Sequence, residues 1–576
     1  MSKRYFRPTA DPNNPENFPA RAYRTVAALR HVRDPVVGIA VGDLFGDGTL
    51  DIVATTSNAD VYAWNARGQR LPGFPVSSDP QFWSLPVPTP ASPTPHSRLP
   101  GRGAWGPPVL ASLEEGNRLD ILMSAFDGHV YAFRPDGTPV PGWPVEVKLR
   151  ASDFARLGVN ASTYIRDPKL MYSVAVVDVL QTGHPQVIVS SFECDNSHPA
   201  AFLYGIWGDG NNHAGGAYLP GWPVRLPSLQ ECYDQSIDFV GEGTSPPVIG
   251  NFGAGHPQVI SSPVTGPVYV INGDGSIART LSPACSSAAC APNPPYRPTG
   301  DALTITLTGQ GGLGDLLNTG TPQFLQSSVG AQSFATATGF SGQAALPQIY
   351  EKAWDLGTGA VLPSFPVRQD GFPFFDAPLA ADVAGDGTRQ VIEANDSYWI
   401  HAWDVHGGEA PGFPKYTGQW PSFAGVVGDA TMNGQLRYAT GTREGWLFAW
   451  RVAGDARLDN SWSHYRGNDY NTGLYGQDSR RPEAILDLRH ANGVLTWSAP
   501  GGDYELGQAS AYQVLACRDA DCTNADQLPG APTPAVPGAR EKFPVPPLPH
   551  GTRYLAVRAS NTAGNLSALS NVVSAR

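Results

Sequence analysis

The chain has 576 residues, more than one hydrophobic core accommodates, so at least two domains are expected. Its 51 acidic against 39 basic side chains give a formal charge of −12 without any Lys/Arg cluster, which argues against nucleic acid as a partner. No run of 18 apolar residues exists, which excludes a helical membrane span, and 64 glycines with 55 prolines favour short strands joined by tight turns over a helical bundle.

Residues 1–34 form an N-terminal extension without a hydrophobic leader. From residue 35 onward three markers recur in a fixed order, the first two of them seven times. The first is an apolar run entering an acidic or Gly-rich loop, clearest at Val41-Gly-Asp43 to Asp51, with degenerate copies beginning near Ser112, Asp178, Asn251, Asp315, Asp382 and Asp429. The second is a short aromatic motif: Val61-Tyr62-Ala63-Trp64, Val130-Tyr131-Ala132-Phe133, Leu203-Tyr204, Val268-Tyr269, Ile349-Tyr350, Ile400-His401-Ala402-Trp403 and Leu447-Phe448-Ala449-Trp450. The third, P-G-[FW]-P-V, starts at Pro72, Pro141 and Pro220, with variants at Pro363 and Pro411. Because proline deletes a ladder bond inside a strand, the third marker is expected in a connection between repeats. A period of roughly fifty to eighty residues suits a four-stranded propeller blade.

These markers, with Gly250-Asn251-Phe252-Gly253-Ala254-Gly255, resemble the FG-GAP repeats that build the propellers of integrin α-subunits and of many bacterial secreted proteins. The resemblance covers residues 35–478 and implies a seven-bladed β-propeller. It ends at Trp462-Ser-His-Tyr465-Arg-Gly-Asn-Asp-Tyr-Asn471-Thr-Gly473, which is similar to the closing segment of such propellers. Either this segment or residues 1–34 is expected to supply a ring-closing strand.

A loop of the form D-x-[DN]-x-D-G-x-x-D gathers oxygen ligands around a hard cation, and Ca²⁺ suits an oxygen-only, flexible set. In the first repeat Asp43, Asp47 and Asp51 occupy positions one, five and nine, Thr49 offers a carbonyl, and Phe45 departs from the pattern. The sixth keeps Asp382 and Asp386 but has Gln390 at position nine; the seventh has Asp429 and Asn433 but Arg437 there, which argues against a cation. Structural calcium is therefore expected in the first repeat and secondarily in the sixth. The alternative is that these loops are plain Asx turns.

Residues 479–576 change character after Ser479-Arg480-Arg481-Pro482. Alternating runs such as Val494-Leu-Thr-Trp497 and a length near one hundred residues suit a β-sandwich. The stretch Ala499-Pro-Gly-Gly-Asp503 to Tyr512 resembles the fibronectin type III modules of bacterial secreted proteins, implying Trp497 as core tryptophan and Tyr554 in a tyrosine corner. The six cysteines pair most economically as Cys285–Cys290, Cys517–Cys522 and Cys194–Cys232. A zinc site is the rival reading, but its usual spacings are missing. Disulfides imply an oxidising compartment, hence a secreted, cell-surface or periplasmic protein whose leader has been removed.

No H-E-x-x-H, G-x-S-x-G or phosphate-binding loop is present, which inclines the reading away from an enzyme. Aromatic residues precede several of the acidic loops, at Trp105, Tyr172, Phe375 and Trp420, where a propeller chain enters its innermost strand. They are candidates for stacking on sugars or anchoring a protein loop, against the alternative of packing between repeats. The leading expectation is an extracellular, non-catalytic binding or adhesion protein recognising a glycan or a partner protein. A polysaccharide lyase or hydrolase, and an architectural subunit of a surface assembly, are the alternatives.

Overall fold

The computed structural model describes residues 35–576 apart from internal stretches, of which 84–101, 229–242, 282–303 and 331–348 are the longest. Residues 1–34 lie outside the described residues, and with them the expectation that they close the ring. Among the described residues from Val36 to Asp455 seven antiparallel sheets follow one another; four have four strands, two have five and the last has three. Sheet 1 pairs Val36–Gly42, Asp51–Thr56, Asp60–Asn65 and Val76–Ser77 in chain order, and the others repeat this meander. The acidic loops all leave the first strand of a sheet, and the aromatic motifs all lie on the third, for example His129–Phe133, Ala200–Trp207 and Leu447–Asp455.

Packing explains why period-two alternation is faint in the middle of the array. In sheet 2 the strands Val109–Ala111, Asp120–Ser124 and His129–Phe133 are buried at every position, because both faces pack on neighbours. Sheet 1 shares one core with sheet 2 (Val53, Val61, Leu110, Ile121), and sheet 6 shares another with sheet 7 (Ile392, Ala402, Val427, Tyr438). In sheet 7, strand Leu447–Asp455 alternates, so one of its faces looks outward.

The P-G-[FW]-P marker does not lie in a connection between repeats, as its prolines led us to expect. Pro72–Val76 joins the third strand of sheet 1 to the fourth strand of the same sheet. Its contacts nevertheless reach the next sheet. Gly73 has φ +87°, and a Cβ there would stand 1.9 Å from the Asp136 carbonyl oxygen in the turn of sheet 2. Gly142 and Gly221 repeat the arrangement, 2.1 Å from Asp209 O and 1.9 Å from Asp274 O. Only glycine permits both the left-handed backbone and the approach. The indoles of Trp143 and Trp222 donate across the same junctions to Gly208 O (2.9 Å) and Gly273 O (2.8 Å). The following proline is cis at all five copies, from Phe74-Pro75 to Phe413-Pro414. In sheets 1 to 3 the marker keys each sheet to its successor.

The ring is gathered by the closing segment, which is not a blade strand. It crosses the first strands of the sheets and accepts a backbone hydrogen bond from six of them: Ala380 to Trp462 O (3.0 Å), Val427 to Ser463 O (2.7 Å), Val41 to Asp469 O (2.9 Å), Leu110 to Tyr470 O (2.9 Å), Val176 to Thr472 O (3.1 Å) and Ile249 to Gly473 O (2.7 Å). In sheet 5, Gly312 packs against the Trp462 indole. Sheets arranged around one axis, with their first strands innermost, form a β-propeller. Asn471 sits at φ +57° and donates from Nδ2 to Ile39 O (2.7 Å) and Pro108 O (2.9 Å), tying sheets 1 and 2 to the segment.

Beyond residue 479, strands Arg489–Ala491, Val494–Ser498 and Arg540–Pro544 form one sheet, and Ala511–Cys517, Ala525–Leu528, Tyr554–Ser560 and Val573–Ser574 another. They enclose a single core around Trp497, whose ring meets Tyr512 edge-on at 5.1 Å. Cys517 and Cys522 are disulfide-bonded. Cys232, Cys285 and Cys290 lie outside the described residues, and of Cys194 only the backbone, on strand Gln186–Asp195, is described.

Asn471→Ala removes two hydrogen bonds and puts alanine, which tolerates the left-handed region less well than asparagine, at φ +57°, so it is expected to cost about 2–4 kcal/mol. Asn471→Gly, which relieves the backbone, should cost less. Urea unfolding followed by tryptophan fluorescence measures the difference; equal losses would show that backbone strain contributes nothing.

Candidate functional site

At the end where the first strands leave the ring lie the acidic loops. In sheet 1 the Asp43 carboxylate accepts the Asp47 N–H (3.1 Å), Asp47 accepts the Thr49 N–H (2.8 Å) and hydroxyl (2.6 Å), and Asp51 accepts the Leu44 N–H (3.2 Å). Burial pushes the Asp51 carboxyl up to about 6, and the neighbouring Asp47 and Asp43 charges add to this. The other oxygen of Asp43 receives Arg481 Nη1 at 2.8 Å, from the linker to the C-terminal sandwich. In sheet 6, Asp382 accepts the N–H groups of Gly385 (2.6 Å) and Gly387 (3.0 Å), and Asp386 accepts the Thr388 N–H and hydroxyl at 2.8 and 2.7 Å.

Position nine has one role in sheets 1, 2, 3, 5 and 6. Asp51, Asp120, Gln186, Gln323 and Gln390 each accept a backbone N–H from the start of their loop, at Leu44, Leu113, Leu180, Leu316 and Val383. Where glutamine stands there, its amide also donates inward: Gln390 Nε2 to Thr388 O (3.1 Å), Gln323 Nε2 to Thr321 O (3.1 Å), Gln186 Nε2 to Thr182 Oγ1 (3.1 Å). The five predicted aspartate ligands each accept from a protein donor, whereas Thr49 donates to Asp47. Among the described residues no three His, Cys, Asp or Glu side chains are placed to hold a metal.

The opposite end of the sheets carries the aromatic residues. Trp105 lies 6.2 Å from Phe423 and packs on a cluster of Phe126, Tyr172 and Phe192. Tyr172 is buried 5.8 Å from Phe192, so its ring fills the space between sheets and is not offered to a ligand. Phe375 lies outside the described residues. Trp420 is half-buried under the Arg443 guanidinium, 5.4 Å from its ring, and Arg443 donates its N–H to the Trp420 carbonyl (2.9 Å). The turn that carries Arg443 ends in Trp446 and Leu447, 63% and 80% exposed. Trp105, Trp420, Phe423 and Trp446 thus share one rim, which continues onto the outward face of sheet 7. Trp446 and Phe423 were missed by sequence reasoning. The seventh aromatic copy reads as core like the other six; that it lies on the last sheet, with a face uncovered, was the available signal.

A third group had no sequence signal. Between sheets 5 and 6 the buried Glu351 and Glu393 both approach Ser327 Oγ, at 2.6 Å for Glu351, and the amide of Gln369 donates to Ser327 (2.6 Å) and to Glu393. Asp376 accepts the N–H groups of Ala377 (2.9 Å) and Ala394 (2.5 Å) nearby. Burial first, and for Glu351 and Asp376 the Glu393 charge next, hold these two carboxyls well above the usual range; burial also raises Glu393. The serine hydroxyl has one proton for two carboxyl groups, so one of the pair carries a proton of its own.

Because the folded-state values are raised, folding takes up protons here. The stabilisation is fully present below the ordinary glutamate value of 4.5 and is lost as pH rises towards about 7. Glu393→Gln, which keeps the group neutral, is expected to gain on the order of 1–3 kcal/mol relative to the parent between pH 5 and pH 8. Urea unfolding at the two pH values measures this, and a pH-independent difference would place the proton elsewhere.

No family model matches the chain, and no curated protein matches it. Solved structures similar to it include BamB from Moraxella catarrhalis (10% identity, TM-score 0.38, 73% of this chain and 86% of that one). The Dos1 propeller is similar at 10% identity (TM-score 0.37, 73% and 79%), and the V. cholerae biofilm matrix protein Bap1 at 12% (TM-score 0.37, 77% and 83%). These are resemblances of fold, and none conveys a ligand or an activity to this chain.

Proposed function

We propose that the chain is a non-catalytic binding protein, a seven-bladed FG-GAP-type propeller with a fibronectin type III-like module, acting outside the cell and recognising a glycan through its aromatic rim. The observation that carries this reading is the exposure of Trp446 beside Arg443 and Trp420. Large aromatic and aliphatic side chains are rarely left in water together unless something covers them. An indole face stacks on the apolar C–H face of a pyranose, and a guanidinium beside it pairs with a carboxylate or sulfate on an acidic sugar. The rim is built on the hairpin turn of a packed sheet, so it is largely pre-formed.

A partner protein is the second reading, favoured by Leu447 and the exposed Val426, which extend the rim as an aliphatic strip. The two part on chemistry: a sugar uses rings and hydrogen bonds, whereas a protein interface buries the strip as well.

A glycan array probed with the purified chain tests the proposal. Retention of particular sugars, falling about tenfold or more in Trp446→Ala, is expected. Arg443→Ala should weaken acidic sugars and spare neutral ones. Both side chains are exposed, so neither change should move the melting temperature by more than about 2 °C. A blank array, or binding indifferent to Trp446, would transfer the rim to a protein partner.

A further inference from the structure

We infer that the acidic loops of this propeller are closed by the protein's own donors in place of calcium, and that Arg481 does this for sheet 1 and so latches the C-terminal sandwich to the ring. The observation is a recurring substitution. In sheets 3, 5 and 6 the last loop position is glutamine, whose carbonyl oxygen accepts from the turn while its amide donates back into it. One neutral side chain does what an aspartate and a cation would do together. In sheet 7 the same position is Arg437, whose guanidinium faces Asp429 at 3.9 Å. Sheet 1 alone keeps carboxylates at positions one, five and nine, at Asp43, Asp47 and Asp51, and it is the loop reached by an arginine from outside the propeller repeats.

The linker that delivers Arg481 is held from both sides. On the propeller side, Ser479 Oγ accepts the Asp469 N–H (3.0 Å) in the closing segment. On the sandwich side, Asn561 Nδ2 donates to the Asp478 carboxylate (2.6 Å) and to Arg480 O (3.0 Å), and Asn565 Nδ2 donates to Asp478 O and Arg480 O, both at 2.7 Å. Arg480 reaches Asp503 of the sandwich at 3.5 Å. Adjacent arginines therefore point to opposite domains, one to Asp43 and one to Asp503. The Asp43–Arg481 pair is mostly sheltered, with 16% and 14% of the side chains exposed, so solvent screens it incompletely. A guanidinium carries its charge at every physiological pH and calcium concentration, so the loop holds its shape where a calcium loop would empty.

The test is thermal unfolding of the full chain in millimolar calcium and in EGTA, with terbium luminescence as a direct probe of the loop. The parent protein is expected to unfold at the same temperature in both, within about 1 °C, with no saturable terbium signal. Arg481→Gln leaves three carboxylates without their counter-ion. It is expected to lower the melting temperature by about 2–4 °C, to separate the sandwich and propeller transitions, and to acquire both a terbium signal and stabilisation by calcium. Asp43→Asn should separate the transitions without acquiring either. A parent protein that loses several degrees on chelation would overturn the proposal, as would an Arg481→Gln chain that behaves as the parent does. Should Arg481→Gln not accumulate, the parent comparison and Arg481→Lys, which keeps the charge without the planar fork, decide the question.

Discussion

The whole ring depends on backbone hydrogen bonds to one short stretch, residues 462–475. Propeller sheets pack face to face through side chains, and such packing alone leaves their number and order weakly defined. Here the carbonyls of Trp462, Ser463, Asp469, Tyr470, Thr472 and Gly473 each accept from a different first strand, so six of the sheets are tied to one shared segment. Peptide N–H groups that would otherwise line an axial channel are satisfied by this chain crossing it. Trp462 is wholly buried, and Gly467 and Gly473 are glycines because a β-carbon would strike its ring or the Arg466 guanidinium. The price of the arrangement is a buried arginine: Arg466 donates to Val174 O (3.0 Å), and burial lowers its pKa to about 10.

Much of this was legible from residues alone. The first two markers fall on the sheets because each answers a separate need, a turn after the first strand and an aromatic third strand between packed faces; the third, expected between repeats, lies within a sheet, where its glycine touches the next one in sheets 1 to 3. What could not be read was where a marker reaches. Pro72-Gly73 is local in the chain, within one sheet, yet its partner is the Asp136 carbonyl of the next. Spacing shows that such a unit repeats and leaves its contacts unspecified. The same limit applies to the loops. Asp43, Asp47 and Asp51 have the composition of a calcium site, and Arg481, which pairs with Asp43, lies 438 positions away. Glu351, Ser327, Gln369 and Glu393 come from strands of two sheets and form no motif at all. Of the four aromatic candidates, sequence placed Trp105 and Trp420 at the rim and Tyr172 near it, but burial, which separates an offered ring from a packed one, depends on neighbours from other repeats.

The molecule is polar in the mechanical sense. Its rim of Trp105, Trp420, Phe423 and Trp446 lies where the first strands begin, and the loop of Asp43, with the linker from Asp478 to Arg481, lies where they end. The aromatic rim and the attachment of the C-terminal sandwich therefore lie at opposite ends of the same strands. A ligand at the rim leaves the joint untouched, and the joint can be stiffened without altering the rim.

The position of the closing segment in the polypeptide has a consequence for biosynthesis. A ribosome makes the chain from its N-terminus, so the sheets between Val36 and Asp455 emerge before the residues that gather them. Until residue 475 has left the exit tunnel, every first strand lacks its axial partner, and the apolar faces of the earliest sheets wait longest. The nascent chain is therefore a row of half-organised units that close together at a late moment, and during that interval its surfaces are open to wrong pairing with other chains. A truncation that removes the last fifth of the sequence takes away the closing segment along with the sandwich.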